Sequence, residues 1–251
     1  MVHRASHKNN KCSFGFTLIF ASSKEKENRP KKQTNVMSHH NKLDDEILDL
    51  YYTYGESDYI GEDMTQLEHA VQCAELAIQE NSPKEIVMAA LLHDIGHLLG
   101  FEMSCTRVMM HENRILGIQA HEHIGADYLA KKWLKENANI TAITCRLIRN
   151  HVNTKRFLAA QLGHDYAQNE LSEASRLTLQ AQGGPMNEDE RREFKQTEEA
   201  IVIHGKSLFE WHLKFREWDN SAKKSAAASI AAAKERFRSI YLANVRDQPS
   251  N

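Results

Sequence analysis

Proline is scarce in this sequence, at four residues in 251, and glycine contributes only eleven. Both residues interrupt helices, so their scarcity, beside plentiful Ala, Leu, Glu, Gln and Lys, favours helical structure. Apolar/polar alternation of useful strand length is missing throughout, which argues against a β-rich architecture. The expectation is an all-α fold of eight or more helices. No apolar run near the start reaches the ~20 residues that span a bilayer; the strongest, Phe14 to Ala21, is far shorter. No membrane partner is expected. The four cysteines, Cys12, Cys73, Cys105 and Cys145, include no short pair. That excludes a zinc knuckle or a disulfide framework and suggests a reducing, cytoplasmic setting.

Charge is almost balanced at −2, but unevenly distributed. Residues 1–42 hold nine Lys/Arg and two Asp/Glu, or +7, so the remainder carries about −9. An acidic body argues against a nucleic-acid groove. The basic, Ser/Asn-rich segment 1–42 reads as a disordered tail, with organelle targeting as the alternative and Met37 as a second candidate start. Residues 43–246 are long enough to bury one full core.

Within that body, Asp44 to Tyr54 reads as a short amphipathic helix, followed by a glycine-bounded acidic loop to Asp63. Thr65-Gln66-Leu67-Glu68 is a capping box, opening a helix to about Glu80. Ser82-Pro83-Lys84-Glu85 repeats the signal, with proline at the first helical position. The helix it opens is expected to run unbroken through His93 to Gly100. Residues 101–120 read as an irregular connection. Further helices are expected over Glu122–Asn137, from Ile140 through Ala160, from Asn187 toward His204 and over 221–244, with a firm turn at Gln182–Met186 and an apolar-aromatic segment over Ser207–Asp219.

His93 and Asp94 stand side by side in an otherwise apolar run, Ala89-Ala90-Leu91-Leu92 before and Leu98-Leu99 after. Ionisable groups in such a context are costly unless their burial is compensated, and a metal ion does that well. Imidazole and carboxylate suit iron, zinc and manganese. His69, His93, Asp94, His121, His151 and Asp219 fall on or beside separate helices that a bundle could converge. Asp94, with two oxygens, could bridge two metals ~3.5–4 Å apart. His123 is the rival of His121, whereas His164, His204 and His212 read as surface or satisfied core residues. Ser175 and Thr178, one turn apart, are candidate hydroxyl donors to an oxyanion, ordinary helix surface being the alternative.

The series His69…His93-Asp94…Asp219 resembles the signature of the HD-domain superfamily of metal-dependent enzymes, an all-α helical bundle. A closer resemblance is to its mixed-valent diiron oxygenases acting on phosphonates. It rests on Tyr59-Ile-Gly-Glu62, Gln66-Leu-Glu-His69, His93-Asp94-Ile-Gly-His97, His121-Glu-His-Ile-Gly-Ala, Asn150-His151 with Lys155-Arg156, Gln182-Gly-Gly-Pro-Met, and Arg216 before Asp219. These motifs cover roughly residues 45–220.

The resemblance implies two iron ions as an Fe(II)/Fe(III) pair. His69, His93, Asp94 and Asp219 would hold one, and the shared Asp94 with His121 and His151 the other. It also implies that Tyr59 and Glu62 close over the metals, Glu62 meeting the substrate's amino end. His97, Lys155 and Arg216 would meet the phosphonate, Arg as a fork and Lys as a point charge. The implied substrates are dioxygen and a small zwitterionic organophosphonate, 2-amino-1-hydroxyethylphosphonate or its N-trimethyl analogue. Cleaving its C–P bond would give phosphate and glycine, or glycine betaine. The alternative is an HD phosphohydrolase acting on a phosphate ester, which would need neither Tyr59 nor Glu62. Oligomeric state is not legible.

Overall fold

The computed structural model describes residues 42–59, 62–133, 141–223 and 229–245. The basic segment 1–41 therefore lies outside the described residues, as do Ile60-Gly61 and the expected helix stretches at 134–140 and 224–228. Ten helices and two small hairpins are described: α1 (Lys42–Tyr54), α2 (Gln66–Gln79), α3 (Lys84–Leu92), α4 (Ile95–Glu102), β1 (Val108–His111), β2 (Arg114–Ile118), α5 (His121–Trp133), α6 (Ala142–Asn169), α7 (Glu173–Ala181), α8 (Glu188–Glu199), β3 (Val202–Ile203), β4 (Lys206–Ser207), α9 (Leu208–Ser221) and α10 (Ile230–Asn244). The all-α expectation holds, since helix dominates and each sheet is only a two-stranded antiparallel pair.

Helix starts follow the caps. Thr65 closes a full capping box with Glu68 at the head of α2, as Asn187 does with Glu190 for α8 and Ser207 with Glu210 for α9. Each box satisfies two otherwise orphaned N–H groups. Pro83 departs from the expectation. It sits one residue outside α3 in extended conformation (φ −56°, ψ 152°), so Lys84 is the first helical residue.

The helix expected over 84–100 is in fact two. His93 keeps helical angles, but Asp94 turns to φ −97°, ψ 8°, and a new helix begins at Ile95. Both halves are buried, so the apolar run continues across the break and hides it from a reading of periodicity. Gly96 marks the tightest approach: a Cβ there would stand 1.9 Å from the His121 carbonyl oxygen, so α4 meets the start of α5 backbone to side-chain-free backbone.

Two further expectations are corrected. The connection 101–120 contains the β1–β2 hairpin, whose strands of four and five residues, with a register shift at Met109/Met110, are too short and irregular to show as alternation. The helix expected from Ile140 to Ala160 is, over its described part, the start of a longer α6, which begins at Ala142 and continues to Asn169 across non-helical Gly163. The core is formed by α1–α6, α9 and α10. Leu67, Cys73, Leu91, Leu92, Ile148, Phe215, Trp218 and Phe237 are among its buried members. Cys73, Cys105 and Cys145 are all unpaired thiols. Among the described residues no helix is long and apolar enough to cross a membrane.

Candidate metal centre

Four helix ends or starts and one helix interior deliver the histidines and aspartates to one place. His69 comes from the first turn of α2, His93 and Asp94 from the α3–α4 break, His121 from the start of α5, His151 from within α6 and Asp219 from the last turn of α9. All six are buried, none above 7% exposed. Their convergence is the reverse of what unpaired charges do in an apolar interior, where burial has to be compensated.

The imidazoles share one orientation. His69 Nδ1 lies 2.7 Å from Ala222 O, His93 Nδ1 3.0 Å from Ala90 O, His121 Nδ1 3.3 Å from Ile118 O and His151 Nδ1 2.7 Å from Ile148 O. A carbonyl only accepts, so each Nδ1 carries the proton and each Nε2 presents a lone pair inward. The Nε2 atoms approach pairwise, 3.2 Å for His69–His93 and 3.1 Å for His121–His151. Lone pairs that close are mutually repulsive unless a proton or cation lies between them. Backbone acceptors behind metal-binding imidazoles commonly fix ring and tautomer in this way.

Asp94 divides between the two pairs. Its Oδ2 is 3.2 Å from His93 Nε2 and 3.9 Å from His69 Nε2, while Oδ1 is 3.3 Å from His121 Nε2 and 3.6 Å from His151 Nε2. Asp219 Oδ1 lies 3.4 Å from His69 Nε2 and is buried without a hydrogen-bond partner among the described residues. Its other oxygen accepts from Arg216 Nη1 at 2.6 Å. Burial alone would raise both carboxyls. Without a metal, His93, which burial lowers but Asp94 raises overall to about 9, keeps a proton toward Asp94. That proton holds the Asp94 carboxyl well below the usual carboxylate range, as Arg216 holds Asp219; a metal cation would take the proton's place. His69, His93 and Asp94 present ligand atoms close enough together to hold one metal ion, and Asp94 and His121 do so in a second group. With His151 and Asp219 beside them, the donor chemistry fits first-row transition ions such as iron.

His97 also lies within ligand distance of Asp94 and His121, but its tautomer is reversed. Its Nδ1 accepts the Ile118 N–H at 3.0 Å, so the neutral ring carries its proton on Nε2 and is a donor. Burial, reinforced by His121, pushes it well below the usual imidazole range and keeps it neutral. Gly117, at φ +123°, makes room for the ring, since a Cβ would sit 2.6 Å from His97 Cε1. His123, the rival of His121, is half exposed and meets Arg149 at 3.0 Å, outside the cluster.

A small, partly open space of about 50 Å³ lies against Asp94, His121, His151 and Asp219. His97, Lys155, Arg216, Tyr59, Ser175 and Thr178, all expected at the substrate, line it as well. Burial first, then Arg216, pushes the Lys155 ammonium down to about 7. Lys155 Nζ donates to Thr178 Oγ1 at 3.0 Å, and Thr178 passes its own proton to Ala174 O at 2.9 Å. Thr178 thus anchors Lys155 instead of offering a free donor. Arg216 engages Asp219 with Nη1 and Asn220 with Nε at 2.9 Å, so much of the fork expected at the phosphonate already has acceptors. Tyr59 stacks on His69, centroids 4.1 Å apart, and burial raises its phenol well above the usual range. Glu62 does not line the space; its Oε1 stands 4.0 Å from Lys223 Nζ. Lys223 was missed by sequence reasoning, as were Gln66 and Gln182, whose buried Oε1 atoms lack partners among the described residues at the cavity wall. The two glutamines stood in quoted motifs; Lys223 had no signal except its place four residues after Asp219.

The HD domain family matches residues 66–204, leaving Tyr59, Glu62 and Asp219 outside the matched stretch. The chain is 41% identical over 178 residues to an uncharacterized protein of Acanthamoeba polyphaga mimivirus, covering 70% of this chain and 71% of that one. It is 37% identical over 145 residues to a [1-hydroxy-2-(trimethylamino)ethyl]phosphonate dioxygenase (glycine-betaine-forming) of Leisingera caerulea, covering 56% and 64%. It is 36% identical over 178 residues to a hydroxymethylphosphonate dioxygenase of Gimesia maris, covering 70% and 76%. The chain belongs to the HD-domain family and is an oxidoreductase of its oxygenase branch.

Proposed function

We propose that this protein is an iron-dependent dioxygenase that cleaves the C–P bond of a small 1-hydroxyalkylphosphonate. The substrate is 2-amino-1-hydroxyethylphosphonate or its N-trimethyl analogue, the products phosphate and glycine or glycine betaine. Residues 43–246 form the catalytic domain, and 1–42 a tail. The observation that carries the reading is the opposed tautomers: four histidines turn lone pairs inward around a two-sided Asp94, while His97 beside them turns a proton inward. Lone pairs suit a metal pair and the proton suits an oxyanion.

His69, His93, Asp94 and Asp219 would hold one iron, and Asp94, His121 and His151 the other. Bound there as an Fe(II)/Fe(III) pair, iron would supply the redox chemistry that activates dioxygen. The chain's own residues do the rest. Lys155, fixed by Thr178, and His97 Nε2–H meet the phosphonate oxygens, with Ser175 beside them. Arg216 fixes Asp219 so that one carboxylate oxygen stays free for metal. Met109 and Leu116 from the hairpin, with Val152, give the space its apolar wall. Tyr59 covers His69; Glu62, which faces Lys223 outside the lining of the space, is assigned to the substrate's amino end by the family resemblance alone.

The test is anaerobic loading with iron, then addition of the substrate and oxygen, with phosphate, glycine and oxygen uptake measured. The trimethylated compound and hydroxymethylphosphonate complete the panel. Phosphate release matched by oxygen uptake is expected; phosphate released from phosphate esters without oxygen uptake would overturn the reading.

A further inference from the structure

Where α9 ends, the chain turns at Ala222, whose carbonyl oxygen holds His69, and sends Lys223 inward. The Lys223 side chain is only 9% exposed. Its Nζ donates to Ser175 Oγ at 2.9 Å and to Ser172 Oγ at 3.1 Å, both at the head of α7. It also stands 4.0 Å from Glu62 Oε1 and 5.9 Å from the centre of the Tyr59 ring. Glu62 Oε1 is buried and has no hydrogen-bond partner among the described residues.

An ammonium has donors and no acceptor, so each bond to a serine consumes an oxygen lone pair and never the serine's proton. Ser172 Oγ is further occupied as the α7 cap, accepting the Ser175 N–H at 3.3 Å. Ser175 Oγ is different. Its residue lines the cavity, and with a lone pair held by Lys223 its proton is directed away from that ammonium. Thr178, one turn along, has the opposite arrangement: its proton is spent on Ala174 O and its oxygen accepts from Lys155. Two buried lysines from different parts of the chain thus grip the same face of α7, one leaving a hydroxyl proton available and the other not.

We infer that Lys223 is a positioning residue for the anionic end of the substrate, acting through Ser175, which it holds as a hydrogen-bond donor into the cavity. The inference rests on the phosphonate reading above. A tetrahedral oxyanion in this space meets Lys155 from α6, His97 from α4 and Ser175 from α7. Of these, only the Ser175 hydroxyl takes its direction from Lys223. Glu62 supplies the counter-charge that makes a further buried cation tolerable there.

The test uses the full-length, iron-loaded protein with K223M, K223R, S175A and the K223M/S175A double variant. Affinity for inorganic phosphate is read by calorimetry, and KM and kcat with the hydroxyphosphonate that wild type turns over best. K223M and S175A should each weaken phosphate and raise KM about tenfold, the scale of one charge-assisted hydrogen bond, with a much smaller change in kcat. The double variant should be no worse than the weaker single, because both remove the same donor. K223R should recover most of the loss, and iron content should match wild type throughout. Phosphate affinity within twofold of wild type in K223M, or multiplying effects in the double variant, overturns the inference. If K223M does not fold, S175A decides, since wild-type phosphate affinity there also overturns it. Wild type that binds neither phosphate nor hydroxyphosphonate overturns the phosphonate reading and this inference with it.

Discussion

Two buried acid clusters in this molecule look alike on paper and differ in kind. Glu198 on α8 is 2% exposed and lies among Arg146, Asn150 and His212. Asp94 and Asp219 lie among four histidines and Arg216. Around Glu198 the neighbours donate: Arg146 through Nε at 2.9 Å and Nη2 at 2.8 Å, Asn150 at 3.4 Å, and His212 Nε2 at 3.1 Å. The charge is satisfied by protein alone. Around Asp94 each ring commits its Nδ1 proton to a backbone carbonyl behind it, so its Nε2 faces inward and is a lone pair whenever the ring is neutral. A histidine count cannot separate the clusters, since His69 and His212 are both fully buried. The direction of the ring protons does.

The largest predicted effect sharpens that contrast. Asp94→Asn removes the two-sided carboxylate and should abolish turnover, by more than ~10³-fold, while metal content falls below two per chain. Glu198→Gln should do the opposite, leaving metal content and turnover near wild type but lowering unfolding free energy by about 1–3 kcal/mol, the scale of a charge-assisted hydrogen bond to an Arg146 that is partly exposed. Metal analysis beside urea denaturation checks both. Loss of metal in Glu198→Gln would break the distinction.

Lys155→Met comes next. It should raise KM for the hydroxyphosphonate by about 10²-fold, through loss of a buried charge-assisted contact, with metal retained. Steady-state kinetics beside metal analysis reads it.

A pH prediction follows from Glu198. Burial raises its carboxyl, but the bonds from His212 and Arg146 outweigh this and hold it at about 2. An unfolded glutamate titrates near ~4.3. Its stabilising contribution is therefore fully present above about pH 4.3 and is lost as pH falls toward 2. Urea midpoints between those limits should fall less steeply in Glu198→Gln than in wild type.

The smallest effect concerns His97. Gly117→Ala places a Cβ 2.6 Å from the ring and a side chain at φ +123°. It should lower kcat/KM by about tenfold without loss of metal, by tilting the Nε2–H donor.

Much of the fold was legible because caps and burial are local signals. Thr65–Glu68 and Asn187–Glu190 mark helix starts in the letters and in the structure, and Ser207–Glu210 marks a third in the structure. His93 and Asp94 were legible because they interrupt an apolar run, whereas His69, His121, His151 and Asp219 were legible as their partners through the motif resemblance. The α3–α4 break was not, because Asp94 departs from helix within one residue while the apolar run continues on both sides. Nor was the β1–β2 hairpin, whose strands are shorter than the alternation needed to recognise them. Tautomers depend on which carbonyl stands behind each ring, a tertiary fact with no sequence period. Lys223 was hidden for the same reason: its partners Ser175 and Glu62 are 48 residues and far more distant in sequence.

The most direct test of the account is an anaerobic iron titration of wild type, Asp94→Asn and Glu198→Gln, with bound metal counted per folded chain. The account predicts two irons in wild type, fewer than two in Asp94→Asn, and two in Glu198→Gln. Two irons retained in Asp94→Asn, or only one in wild type, would contradict it.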